Sequence, residues 1–122
     1  MEWYTKRTLG DTLIATQKRH GEKTAIIYNG NNWNYTQFKN QVDNISKSLI
    51  ELGIVAGDNI AIWMTNRPEW IFIMYGVIQI GACIVPLNTR YRTDDLGYAL
   101  KQSNSKLIFK FIFCDVTLLL DI

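Results

Sequence analysis

Asn59-Ile60-Ala61-Ile62-Trp63-Met64, then Asn66-Arg67-Pro68-Glu69, then Gly81-Ala82-Cys83-Ile84-Val85-Pro86 is the stretch that decides the fold. Its first part is a continuous apolar run too short for a helix, which is the pattern of a strand covered on both faces. In the second, Asn66 can cap, Pro68 suits a first helical turn and Glu69 is favoured by the positive end of the helix dipole. A helix is therefore expected from about Pro68 to Ile80, apolar on nearly every side through Trp70, Ile71, Phe72, Ile73, Met74, Val77 and Ile78. Gly76 is expected to mark close approach to another element. Gly81 ends that helix, and Cys83-Ile84-Val85 forms a further apolar strand. Strand, helix, strand with apolar strands implies a parallel pair joined by a right-handed crossover.

The same grammar extends in both directions. Upstream, Phe38, Val42, Ile45, Leu49 and Leu52 recur at spacings of four and three, one face of a helix of about four turns, with Thr36 as its expected cap and Gly53 as its stop. Before it, Thr24–Tyr28 reads as a strand, Asn29-Gly30 as a turn and Trp33-Asn34-Tyr35 as the returning strand, with Asn31-Asn32 lengthening the loop. Thr8 can cap a first helix that ends on the basic turn Lys18-Arg19-His20 before Gly21. Downstream, Thr93-Asp94-Asp95 opens a helix with Leu96, Ala99 and Leu100 on its inner edge. Ser103-Asn104-Ser105 breaks it, and Lys106–Phe113 forms a final β-rich run. The expected class is α/β, with a mostly parallel sheet, flanking helices and an N-terminal β-hairpin, in one domain over residues 1–122.

Composition narrows the function. The 122 residues are 48% hydrophobic and carry a net charge of +2, with basic residues spread along the chain, so nucleic acid is not indicated. Cys83 and Cys114 sit in apolar runs, which suggests buried thiols and a reducing cytoplasm. Met1–Arg7 carries charge with no apolar segment behind it, so no signal peptide is expected. The stretch Trp70–Val85 is interrupted by Gln79 and Gly81 and falls short of the roughly 20 residues of a membrane span.

The candidate chemical motifs mostly have plain explanations. Gly21-Glu22-Lys23-Thr24 joins a helix to a strand, the reverse of a phosphate loop, and no Gly-x-Gly-x-x-Gly fingerprint occurs. His20 is the one histidine and suits a helix C-terminus; without a second, neither a zinc site nor a Ser-His-Asp arrangement is credible. Asp94-Asp95 favours the positive end of its own helix over a metal. Arg90 and Arg92 follow a strand's carboxyl end, where open α/β sheets bind ligands, although solvated loop charge also explains them. The acceptor patterns Asn34-Tyr35-Thr36 and Asn44-Ile45-Ser46 carry no weight without a secretory signal.

Several segments taken together resemble the N-terminal part of the AMP-forming acyl-CoA synthetase and adenylate-forming ligase superfamily. These are Trp33-Asn34-Tyr35-Thr36-Gln37-Phe38, Leu52-Gly53-Ile54-Val55-Ala56-Gly57-Asp58 with Ile60-Ala61-Ile62, Asn66-Arg67-Pro68-Glu69-Trp70, and Ile80-Gly81-Ala82-Cys83-Ile84-Val85-Pro86-Leu87-Asn88. The resemblance covers residues 8–109, and its signatures are scaffold devices. For a full member it implies ATP- and Mg2+-dependent activation of a carboxylic acid to an acyl-adenylate, followed by transfer to coenzyme A. The family's phosphate loop, adenine-contacting motif, ribose-binding Asp and C-terminal-domain Lys lie downstream of the matching region. No catalytic, cofactor-binding or metal residue is therefore assigned within these 122, and the expected partner is the C-terminal portion of the parent enzyme.

The tail Lys110–Ile122 has no recognisable counterpart in the resemblance. The expectation is a truncated chain, inactive by itself, whose last strand leaves an unpaired apolar edge that lowers solubility. From a different class, the alternative is a stand-alone α/β module that uses the Asn88–Arg92 loop to bind a small anionic ligand.

Overall fold

A computed structural model describes the backbone of residues 8–112 and 115–120, and side chains for residues 8–110. Met1–Arg7 and Cys114 lie outside the described residues, and with them the readings made there. The element order is α1 (Leu9–His20), β1 (Thr24–Tyr28), β2 (Asn31–Asn34), α2 (Tyr35–Glu51), β3 (Asn59–Trp63), α3 (Pro68–Gln79), β4 (Cys83–Pro86), α4 (Thr93–Ser103), β5 (Ser105–Ile112) and β6 (Asp115–Leu120). The fold is mixed α/β, as the apolar strands imply.

Strands β4, β3 and β5 are parallel, and β6 adds antiparallel to β5, giving the order β4-β3-β5-β6. In β3, Ile60, Ala61 and Ile62 are fully buried because adjacent residues face opposite, equally covered sides. Ile60 and Ile62 pack with Leu49 of α2 and Ile73 and Val77 of α3. Ala61 packs with Leu100 of α4 and Ile108 of β5. The β3-to-β4 and β4-to-β5 crossovers run in opposite directions across the sheet, so right-handedness places α3 and α4 on opposite faces.

The hairpin β1–β2 stands apart from this sheet and packs on the helices. Its loop is tighter than the sequence suggests. Asn31 and Asn32 belong to β2, opposite Tyr28 and Ile27, and the loop is Asn29-Gly30 alone, with φ of 48° and 80°. Left-handed backbone at both positions matches the right-handed twist of the strands, the reason Asn-Gly is favoured there. Trp33 then packs edge-on against Phe72 at 5.7 Å, and Phe38 and Tyr75 extend the aromatic cluster.

Caps follow the local chemistry with two changes of residue. Thr8 caps α1 in a reciprocal box with Asp11, as expected. For α2, however, the cap is Asn34 in a box with Gln37, because the helix begins one residue before Thr36. For α3, Arg67 rather than Asn66 holds the cap position, with Pro68 opening the helix. Gly21 is helical (φ −49°), so its small size serves close packing: a Cβ there would lie 2.6 Å from Thr36 Oγ1.

Two further expectations are corrected. Cys83 is exposed, at the start of β4, which lies at the edge of the sheet among the described strands. Strand β5 leaves no free edge: β3 pairs with one side and β6 with the other, and Leu107 and Ile108 are buried.

Polar contacts secure the amino ends of the strands. Asp58 accepts from the Val55 N–H at 2.8 Å and pairs with Lys106 at 2.9 Å, linking the approach to β3 with the start of β5. The Val55 hydrogen bond first, and Lys106 second, hold its carboxyl below the ordinary 3.8. A depressed carboxylate stabilises fully above the unfolded-state value and loses that contribution as pH falls through the folded-state value. Acid titration of stability is therefore expected to fall below about pH 4, and Asp58→Asn is expected to flatten that limb in urea melts taken across the same pH range. An equally steep limb in the variant would assign the acid sensitivity elsewhere.

Between α2 and α3, buried Ser46 donates to the Gly76 carbonyl at 2.8 Å, and Gln79 donates to Ser46 Oγ and Asp43 Oδ1. No buried side-chain polar atom lacks a hydrogen-bond partner among the described residues. None of the described helices is long and apolar enough to cross a membrane.

Candidate functional site

Open parallel sheets bind ligands at the carboxyl ends of their strands, where consecutive crossovers leave on opposite faces. Here that position lies between β3 and β4, and the loops following them form its walls. Strand β3 ends on Trp63, which stands in register with Lys110 of β5. The Lys110 ammonium lies 5.3 Å from the Trp63 ring centroid, close enough for a cation–π contact. Across the crevice, Trp63 Nε1 donates to the Asn88 carbonyl at 3.0 Å.

That hydrogen bond organises the loop after β4. Leu87 N–H donates to the Ile62 carbonyl at 2.9 Å, continuing the ladder past Pro86. The Asn88 carbonyl also accepts from the Tyr91 N–H at 3.1 Å, and Asn88 Oδ1 accepts from the Arg90 N–H at 2.9 Å. The side chain of Asn88 thereby shapes a turn on which Arg90 and Arg92 project into solvent. Neither guanidinium has an ion-pair partner among the described residues. On the other wall, Arg67 pairs with Glu69 at 3.3 Å, and its guanidinium lies 5.8 Å from the Tyr28 ring centroid.

Two grooves flank this rim. One, of about 290 Å³, lies between β1 and the start of α3 and is lined by Ile26, Ile27, Tyr28, Pro68, Trp70 and Ile71, with Arg67 at its polar end. The other, of about 360 Å³, lies between β4 and α4 and is lined by Val85, Leu87, Tyr91, Tyr98 and Ala99, with Asp95 among them. The arrangement offers cations and apolar walls. No group of three or more His, Cys, Asp or Glu side chains suited to a metal occurs among the described residues.

The individually weighed residues are dispersed. His20 ends α1, exposed, beside a separate polar groove that includes Gly21, Glu22 and Lys23. Asp94 and Asp95 occupy the first turn of α4, where Asp95 Oδ2 accepts from the Arg92 N–H at 3.5 Å. Their role is at the helix start, as the dipole argument holds. The Trp63–Asn88–Lys110 contact is not visible in the sequence, because its three members come from separate strands and loops. A tryptophan ending an otherwise aliphatic strand is the one local signal for it.

The comparison with known proteins decides the family. The AMP-binding enzyme profile matches residues 13–119. The chain belongs to that family. The chain is 36% identical over 100 residues to a putative acyl-CoA synthetase, YngI, of Bacillus subtilis, covering 80% of this chain and 18% of the relative. It is 31% identical over 104 residues to the acyl-CoA ligase sidI of Aspergillus fumigatus, covering 84% and 18%.

Among solved structures, a Mycobacterium tuberculosis fatty acyl CoA synthetase superposes with a TM-score of 0.80 at 27% identity, over 83% of this chain and 20% of that one. The Klebsiella oxytoca NpsA N-terminal subdomain in complex with anthranilyl-AMSN superposes with a TM-score of 0.82 at 21% identity, over 88% and 28%, and shows the fold alone. The chain thus spans less than a fifth of the length of the two relatives above, with the fold of the NpsA N-terminal subdomain.

Proposed function

We propose that this chain supplies the N-terminal framework of an acyl-CoA synthetase-like ligase. In full length such an enzyme activates a carboxylic acid with ATP to an acyl-adenylate, releases pyrophosphate and passes the acyl group to coenzyme A. The observation that carries this reading is the match across residues 13–119, supported by 36% identity to a relative bearing the name of that activity. The downstream portion of such an enzyme is the natural partner of these elements, and the cytoplasm the natural compartment.

The residues present do not fit a nucleotide site by themselves. Attack on an α-phosphate requires donors and a cation placed around the charge that develops there. Among the described residues no glycine-rich turn leads from a strand into a helix, and the arginines of the rim stand on a solvated loop. The framework accordingly holds the sheet and helices on which the rest of the enzyme builds its site. The purified chain is expected to show no carboxylate-dependent exchange of pyrophosphate into ATP above an enzyme-free control. Measurable exchange overturns the assignment of framework alone.

A second reading rests on Arg90 and Arg92, which have no ion-pair partner among the described residues: a module that binds a small anion at the loop after β4. A thermal melt with inorganic pyrophosphate separates the two, because a ligand of the native state raises the midpoint with concentration. An unchanged midpoint supports the framework reading.

A further inference from the structure

We infer that Asn29 is a site of covalent self-modification, in which the side-chain amide is lost through a cyclic imide formed with the Gly30 backbone nitrogen. Asn29-Gly30 is the one Asn-Gly pair in the sequence. Glycine at the second position carries no Cβ to shield its nitrogen from the Asn29 side chain. Both residues are exposed at the tip of the hairpin.

The surroundings separate this asparagine from three whose side chains are held. Asn34 Oδ1 is held by the Gln37 N–H at 2.8 Å, Asn59 Nδ2 by the Ser103 carbonyl at 2.6 Å, and Asn88 Oδ1 by the Arg90 N–H at 2.9 Å. The Asn29 amide has no such partner among the described residues. Asn104 shares its left-handed backbone (φ 53°) but is followed by Ser105, whose side chain crowds the nitrogen. Asn29 also lies in the turn of a two-stranded sheet separate from the main one, so the turn can open without disturbing β3, β4 or β5. Ring closure requires the backbone of Asn29 to leave the left-handed region, and this opening sets the rate.

The chemistry balances with water as the only co-reactant. The Gly30 nitrogen attacks Asn29 Cγ, a C–N bond forms, and the side-chain nitrogen leaves as ammonia, taking the proton from the Gly30 N–H. Water then opens the imide at either carbonyl. One product is aspartate; the other is isoaspartate, whose backbone contains an added methylene. Either adds a negative charge to the turn. The longer backbone also breaks the two-residue loop geometry that sets Tyr28 opposite Asn31 and Ile27 opposite Asn32.

The test ages the purified chain at physiological temperature and mildly alkaline pH, then maps tryptic peptides by mass spectrometry. Residues 24–39 fall in one peptide between Lys23 and Lys39, carrying Asn29 with Asn31, Asn32 and Asn34 as internal controls. The expected result is conversion at Asn29, including an isoaspartyl product, before any other asparagine in the chain is detectably altered. A parallel sample in denaturing urea is expected to convert faster at Asn29. Retention of the Asn29 amide in the folded chain while the denatured chain loses it overturns the proposal, since the turn would then be locked. Equal loss at Asn31, Asn32 or Asn34 overturns it as well.

Discussion

Gly76→Val is expected to lower the urea midpoint of the chain severely. A Cβ at this position would lie 2.6 Å from Ile45 Cγ2, 3.0 Å from Ile45 Cβ and 3.3 Å from the Val42 carbonyl. It would enter the contact between α2 and α3, beside the buried Ser46 hydrogen bond to the Gly76 carbonyl. Replacing a helical glycine by alanine ordinarily gains about 1 kcal/mol of helix propensity. Overpacking costs about 1–3 kcal/mol, sometimes more, and valine adds two further methyl groups to the collision.

Against a net stability on the order of 5–15 kcal/mol for a domain, this is a large fraction. Gly76→Ala is expected to destabilise less, since the clash partly cancels the propensity gain. The double variant Gly76→Ala with Ile45→Ala is expected to be more stable than the sum of the single effects predicts, because the second change clears the space that the first fills. Additive behaviour in urea melts would show that the helices separate instead of colliding at Ile45.

The second large effect lies on the central strand. Ile62→Ala is expected to cost about 2–5 kcal/mol, from lost burial and from the cavity left behind. Ile62 is fully buried between neighbours β4 and β5, in the cluster that includes Leu49, Ile73 and Leu107. Position 27 supplies the contrast: Ile27 is 72% exposed on the hairpin, and Ile27→Ala is expected to change stability by at most about 0.5 kcal/mol. Denaturant midpoints with unchanged slopes check both. A small effect at Ile62 would mean that the two helices of its face do not pack on β3.

These two positions differ in how they could be read beforehand. Ile62 belongs to an apolar run whose burial on both sides follows from its composition, and α3 supplies a cover that is apolar almost all round. Gly76 announces only that something comes near; that the neighbour is Ile45, thirty-one residues earlier, depends on the angle at which two helices cross. The candidate rim divides in the same way. Arg90 and Arg92 were placed after a strand's carboxyl end by local reading, whereas the hydrogen bond from Trp63 to Asn88 and the Lys110 contact on the same ring required strand order and register.

What local sequence determined here is the succession of elements and their class. Capping side chains, stop glycines, Pro68 and apolar runs act within a few residues, through hydrogen bonds and dihedral limits that need no distant partner. Tertiary structure alone decided that β4 lies at the edge among the described strands, that Cys83 is exposed, and that β5 is interior, with β3 and β6 closing both its sides. It also decided that Gly21 is a close-approach position and that the element Gly76 meets is α2, at Ile45. The physical reason is that exposure and close packing belong to pairs of elements: a residue's own neighbours in sequence set its dihedral angles, but not which strand or helix lies beside it.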